Sequence, residues 1–216
     1  MRTEEEQVEA IKSWWKENGS STVFGIVAAV AIVLGWRGWQ DYQTNTAELA
    51  SAEYQNLIAT VVVQPGQELT EEKRKTAEHL ASQLKGDYES LIYSQYAALW
   101  LAKSAVEQND LPKAQTELEW VVAQDSDISI VNVARIRLAR VLLAQDKAEQ
   151  ALSQLQNTPQ EGFQASYYEV QGDIYLAMGR HQDARTAFNK ALASPSGEQR
   201  AILAMKLDDL AVAEAN

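Results

Sequence analysis

The sequence contains no cysteine, and this absence excludes several kinds of protein. A disulfide scaffold, a zinc site built on thiolates and a cysteine nucleophile all need the missing residue. Proline and glycine are also scarce, at 4 and 10 of 216 residues, and all four prolines fall at plausible connections between helices. Because 46% of the residues are apolar, the chain can still build a folded core, and wholesale disorder is excluded.

Positive charge is outnumbered by negative charge. There are 19 Lys and Arg against 30 Asp and Glu, for a net charge of −11, and the longest basic run is Lys73-Arg74-Lys75. Nucleic-acid binding depends on a basic surface that releases counterions from phosphates. The composition therefore argues against a nucleic acid as partner.

Motifs that carry catalysis are missing from the sequence as well. The two histidines, His79 and His181, have no partner at metal-ligand spacing. A phosphate-binding loop, a dinucleotide glycine pattern and a nucleophile elbow are all lacking. The many carboxylates are scattered, so no acid–base pair can be singled out. We therefore expect no enzyme activity, no cofactor, no metal and no small-molecule substrate.

One long apolar run lies near the N-terminus. Residues 20–39 would form a helix of about 30 Å, at ~1.5 Å per residue, which is the thickness of the hydrocarbon core. Four of the six tryptophans stand at its margins, as in the aromatic belts of membrane proteins, namely Trp14, Trp15, Trp36 and Trp39. The pattern predicts a helix that crosses the lipid bilayer; a buried core helix or a signal peptide are the alternatives.

The flanks of the apolar run predict its orientation. Arg2, Lys12 and Lys16 precede it, whereas only Arg37 lies close behind it. The positive-inside rule then places the N-terminus in the cytoplasm. The preceding segment is rich in glutamate, unlike the short basic start of a cleaved signal, so we expect an uncleaved signal anchor. The predicted parts are a cytoplasmic tail (1–19), the anchor (20–39) and a body outside the cytoplasm (40–216).

Small residues recur along one face of the anchor at spacings of three and four: Ala28, Ala31, Gly35 and Gly38. In lipid such a face lets a second helix approach closely, so it is a candidate packing face. Small residues are also common in membrane helices, which is the simpler explanation.

The body has the periodicity of α-helices and contains repeats. In the clearest unit, residues 165–198, large and small residues alternate as in tetratricopeptide repeats: Tyr168, Gly172, Tyr175, Ala184, Phe188 and Ala191. Gly172 and Ala184 are expected where two helices cross closely. Weaker units precede it, with key alanines Ala114 and Ala151. The prediction is an all-α chain in which a single transmembrane helix is followed by a tetratricopeptide-like α-solenoid.

A final helix, residues 198–213, is expected to cover the end of the stack with Ile202, Leu203, Leu207 and Leu210.

The first helices of the repeats offer a candidate partner-binding face. Its members are Tyr96, Leu99, Lys103, Ile136, Arg140, Leu143, Glu169, Asp173 and Leu176. This face mixes an apolar ridge with isolated charges and lacks the Lys, Asn and Arg cluster with which some tetratricopeptide domains bind a C-terminal carboxylate. A segment with apolar side chains or a folded partner fits it. Alternatively, these residues only pack within the stack.

The tandem tryptophans of the tail (IKSWWKENG), the anchor followed by GWRGWQDY, a first helix containing Tyr54 and the acidic repeat units resemble the YfgM family. Members of this family are ancillary subunits of the bacterial SecYEG translocon. The resemblance implies an inner-membrane protein with a periplasmic domain. It also implies association with the translocon and with the membrane-anchored periplasmic chaperone PpiD, and it carries over no catalytic residue.

The leading hypothesis is a non-enzymatic, membrane-anchored accessory of the Sec translocon that binds a periplasmic chaperone and assists proteins emerging from the channel. Tethering raises the effective concentration, so individual contacts can be weak. Two alternatives stay open: a holdase chaperone that binds unfolded clients directly, and an envelope-assembly scaffold unrelated to secretion.

Overall fold

The computed structural model of the chain describes residues 4–64, 66–124, 127–157, 161–195 and 200–215. These residues form nine α-helices and one short 3-10 helix, Glu161–Phe163. The α-helices are α1 (Glu4–Val61), α2 (Glu71–Asp87), α3 (Ile92–Glu107), α4 (Leu111–Ala123), α5 (Ile128–Ala144), α6 (Ala148–Ser153), α7 (Gln164–Ala177), α8 (His181–Ala193) and α9 (Arg200–Ala215). The all-α prediction is confirmed for this part of the chain.

Two compact units divide the chain between Leu49 and Ala50. The first unit contains the apolar run, which lies within α1. The second contains the end of α1, where Ala50 and Leu57 are fully buried, together with α2 to α9. The division thus follows packing, whereas the boundary predicted after residue 39 follows the end of the apolar run.

In three helix pairs of the second unit, the two helices are joined by the same type of turn. Asn109, Asp146 and Gly179 have positive φ angles of 59°, 61° and 71°. The N–H of the following residue donates to a carbonyl five positions back in each turn, as from Asp110 to Ala105 at 2.8 Å, with equivalents at 3.0 and 2.8 Å. This is the Schellman closure, which needs a left-handed residue that Gly, Asn and Asp supply most easily. The repeated geometry identifies α3–α4, α5–α6 and α7–α8 as equivalent units.

The buried alanines keep the same register. Ala114, Ala151 and Ala184 each follow their turn by five residues and are fully buried. A larger side chain there would push the two helices of the pair apart. The key alanines expected from the sequence are therefore confirmed.

Gly172 of α7 lies directly against the ring of Phe188 in α8. A Cβ atom at position 172 would stand 2.4 Å from the nearest ring carbon, and Phe188 is fully buried. The predicted close crossing is confirmed. Tyr168 and Tyr175 pack against the same cluster but keep part of their surface exposed.

The core consists of buried clusters joined through shared helices. Helix α3 turns Ala97 and Leu101 towards α2 and the end of α1, and Ala102 towards α4 and α5. At the other end, α9 contributes the buried Leu203 and Leu210 beside Phe188, so the covering helix is confirmed. Ile202 does not belong to the covering face, because the turn of α9 leaves it 53% exposed.

Candidate partner-binding groove

The candidate residues of the first helices lie in three different environments. Ile136 is only 5% exposed and belongs to the core. Four side chains are half-buried against the clusters, namely Tyr96, Leu99, Leu143 and Leu176. Lys103 and Arg140 are exposed. The apolar ridge expected from the sequence is thus largely inside the stack, and the charged residues define the accessible face.

The two acidic candidates, Glu169 and Asp173, form ion pairs with a lysine of the covering helix α9. The Lys206 ammonium donates to Glu169 Oε1 at 2.9 Å and to both carboxylate oxygens of Asp173 at 2.9 Å. The Arg140 guanidinium stands farther from Glu169, at 3.8 Å. Glu169 is nearly buried, so its charge needs these partners. These carboxylates hold α9 against α7 and are not free for a partner.

The pKa values of this cluster reflect its burial. Desolvation raises the pKa of Asp173 above its usual value, although Lys206 opposes the change. Desolvation pulls the pKa of Lys206 down, but hydrogen bonds to Asp173 and Glu169 outweigh it and raise that pKa above the usual 10.5. Lys206 is therefore held in its charged form.

A cavity of about 360 Å³ opens between α3, α4 and α5. Its apolar wall comes from Ala102, Val106 and Leu118. Its charged lining residues are Lys103, Glu107, Arg137 and Arg140. Glu107 is paired with Lys103 at 3.5 Å. Within a strongly acidic chain, this cavity therefore has an excess of positive charge.

Arg137 also lines this cavity, although it is not among the residues predicted from the sequence. It stands three positions before Arg140 on α5, so the two share a helix face. The structure gives it no carboxylate partner among the described residues. Desolvation, and secondarily the charge of Arg140, lowers the pKa of Arg137 below its ordinary value. Its spacing of three residues from the candidate Arg140 is the feature of the sequence that could have indicated it.

A second cavity, of about 530 Å³, adjoins the first and shares Lys103 and Glu107 with it. Its apolar lining includes Val61, Leu69 and Trp100. Its charges are balanced, since Glu68 and Glu107 face Arg74 and Lys103. The two cavities together are called the basic groove below.

The apolar run of the first unit is exposed along α1. Among the described residues, α1 is the one helix long and apolar enough to cross a membrane, and its apolar stretch is almost entirely unburied. The flanking tryptophans pair with each other, at 6.5 Å between the Trp14 and Trp15 rings and 5.2 Å between those of Trp36 and Trp39.

The candidate packing face of this helix is exposed throughout: Ala28, Ala31, Gly35 and Gly38. A Cβ atom added at Gly35 or Gly38 would meet nothing within 4 Å.

Groups suited to binding a metal ion are not assembled in the part of the chain that the structure describes. It contains no cluster of three His, Cys, Asp or Glu residues able to hold a metal ion. His79 and His181 are both exposed.

Comparison with known proteins assigns the fold and the family. The model of the tetratricopeptide repeat-like domain family matches residues 12–212. An ancillary SecYEG translocon subunit of Escherichia coli (strain K12) is 32% identical over 97% of both chains. Relatives of the same name from Haemophilus influenzae and Neisseria gonorrhoeae are 30% and 29% identical, each over 96% of this chain and 97% of the relative. No solved structure matches the chain.

The match of the family model spans both the apolar run and the repeat units. The relatives cover nearly the full length of both chains, so the agreement is not confined to the repeats. One N-terminal apolar helix followed by a repeat body fits a single-pass membrane protein. The chain therefore belongs to the tetratricopeptide repeat-like family of ancillary SecYEG translocon subunits.

Proposed function

We propose that this protein is a non-enzymatic accessory of the Sec translocon, anchored in the bacterial inner membrane by residues 20–39. The observation that carries the proposal is the joint presence of an exposed apolar helix and a repeat body in a chain that matches translocon subunits end to end. The anchor would keep the repeat body beside the channel, where tethering makes weak contacts effective.

The body is proposed to lie in the periplasm, with residues 1–19 in the cytoplasm. The charge bias across the anchor supports this orientation, because Arg2, Lys12 and Lys16 precede it and Arg37 alone follows closely. A reporter that is active only outside the cytoplasm, fused at Asn216, should be active in cells. A cytosolic reporter at the same position should be silent, and the reverse pattern would overturn the orientation.

The proposed partners are the SecYEG channel and, from the family resemblance, the membrane-anchored periplasmic chaperone PpiD. The body would bind the chaperone and assist proteins as they leave the channel. A repeat solenoid suits this role because its surface binds extended segments and helices without catalysis.

Copurification from cells in mild detergent tests the association. The tagged full-length chain should enrich SecY and PpiD over an unrelated single-pass protein of similar abundance. A body that starts at residue 41 and is exported by a cleavable signal should lose most of this enrichment. If the released body enriched both proteins as well as the full-length chain, tethering would not be how the protein works.

A further inference from the structure

The basic groove carries an inference that goes beyond the proposed function and does not depend on it. It lies on the second unit and is lined by residues of α2, α3, α4 and α5, by the end of α1 and by the segment that follows it. Its members are distant in sequence, and the chain around them is strongly acidic.

The distribution of charge within the groove is uneven. At the end between α3 and α5, three cations meet a single carboxylate, Glu107, which is already paired with Lys103. Arg140 is only loosely held, at 3.8 Å from a Glu169 that bonds more closely to Lys206. Arg137 has no carboxylate partner among the described residues, and its guanidinium is partly desolvated. The two arginines at this end are therefore available to bind an anion of a partner.

The other end of the groove has balanced charges and apolar walls. Val61, Leu69 and Trp100 line it, and Trp100 is only partly buried. The ends meet at Lys103 and Glu107, which line both cavities. The groove thus offers a continuous path from a cationic site to an apolar site, which fits an extended chain better than a compact small molecule.

We propose that the basic groove binds an extended peptide segment of a partner protein that carries a carboxylate side chain beside bulky apolar residues. The carboxylate pairs with Arg137 and Arg140, and the apolar residues occupy the end lined by Leu69 and Trp100. Arginine suits this role because its planar guanidinium binds a carboxylate through two parallel hydrogen bonds. The net negative charge of the chain repels acidic segments elsewhere, so binding is confined to the groove.

The test uses the full-length protein in nanodiscs of neutral lipid and a short peptide in which leucine and glutamate alternate between Gly-Ser ends. Peptides with glutamine or lysine in place of glutamate are its controls. Fluorescence anisotropy of a rhodamine-labelled peptide should show binding of the glutamate form that weakens as salt is added. Equal binding of the glutamine peptide would overturn the proposal.

The matched variants are Arg137→Gln and Arg135→Gln, which remove the same charge from the same helix. Arg135 does not line the groove. Arg137→Gln should weaken the glutamate peptide about fivefold, which corresponds to ~1 kcal/mol, while Arg135→Gln leaves it unchanged. Arg137→Glu should weaken it further and improve binding of the lysine peptide. Equal losses in the two glutamine variants would show that only general charge matters, and the groove assignment would then be wrong.

A second copy of the chain is the competing occupant. Sedimentation of the nanodisc-free protein in detergent, over the same concentrations, distinguishes this case. A dimer that Arg137→Gln returns to a monomer would overturn the proposal of a partner peptide. A monomer in both forms, together with charge-dependent peptide binding, supports it.

Discussion

Gly172→Ala tests the close contact between α7 and α8 with the smallest possible change. The added Cβ would stand 2.4 Å from a carbon of the Phe188 ring, well inside van der Waals contact. Because Phe188 is fully buried, its ring can give way only if neighbouring core side chains shift as well. Overpacking of a core typically costs roughly 1–3 kcal/mol. A contact of 2.4 Å belongs in the upper part of this range, roughly 2–3 kcal/mol. Alanine regains ~1 kcal/mol over glycine in a helix, so the net loss should be about 1–2 kcal/mol.

Thermal unfolding of the full-length protein in detergent, followed by far-ultraviolet circular dichroism, measures this loss. For a body of this size the loss corresponds to a fall in Tm of roughly 2–8 °C. Gly86→Ala is the matched control, since Gly86 lies in α2 with nothing within 4 Å of the added atom. The control should leave the Tm unchanged or raise it. If Gly172→Ala raised the Tm as much as Gly86→Ala, the reasoning from the crossing would be refuted.

Three further perturbations test other parts of the structure. Lys206→Met leaves the partly buried carboxylates of Glu169 and Asp173 without their lysine. Urea unfolding should show that the body is less stable by about 1–3 kcal/mol. An unchanged stability would show that this ion cluster does not hold α9. Desolvation raises the pKa of Glu78, but hydrogen bonds from Ser104 and Gln108, together with the charges of Lys113 and Arg74, outweigh it and lower that pKa. The contribution of ionised Glu78 to the stability of the folded state is therefore present above pH 4.5 and lost as the pH falls through the lowered pKa. Urea unfolding of Glu78→Gln should therefore show a deficit at pH 7 that shrinks in acid, and a constant deficit would contradict this origin. Val30→Arg places a charge at the centre of the proposed span at a cost of ~3 kcal/mol and should reduce resistance to carbonate extraction, whereas Val8→Arg in the tail should not.

The repeat organisation could be predicted from the sequence because it depends on local constraints. Left-handed turn residues and buried alanines must keep their spacing for each helix pair to close, and Gly172 must stay small for α7 to reach α8. The N-cap of α2 is local in the same way, because the Thr70 hydroxyl accepts a hydrogen bond from the Lys73 N–H only three residues along the chain.

The accessible face was harder to predict because stacking buries a middle helix on several sides. Helix α5 packs against α4, α6 and α7, so Ile136 is enclosed although its repeat position suggested exposure. The fate of Glu169 and Asp173 depends on Lys206, more than thirty residues away on the covering helix. The periodicity of α7 alone contains no information on where α9 packs.

The basic groove illustrates how an average over the sequence conceals local charge. A net charge of −11 excludes a broad basic surface, but it places no limit on three cations brought together by folding. Lys103 comes from α3, whereas Arg137 and Arg140 come from α5, and only the stacking of the first helices makes them line one cavity. Electrostatic attraction between exposed groups fades over about 8 Å at physiological salt, so a partner in contact with the groove responds mainly to these residues. An acidic body and a carboxylate-binding groove are therefore compatible, because the surrounding negative charge repels the partner's acidic segment everywhere except at the groove.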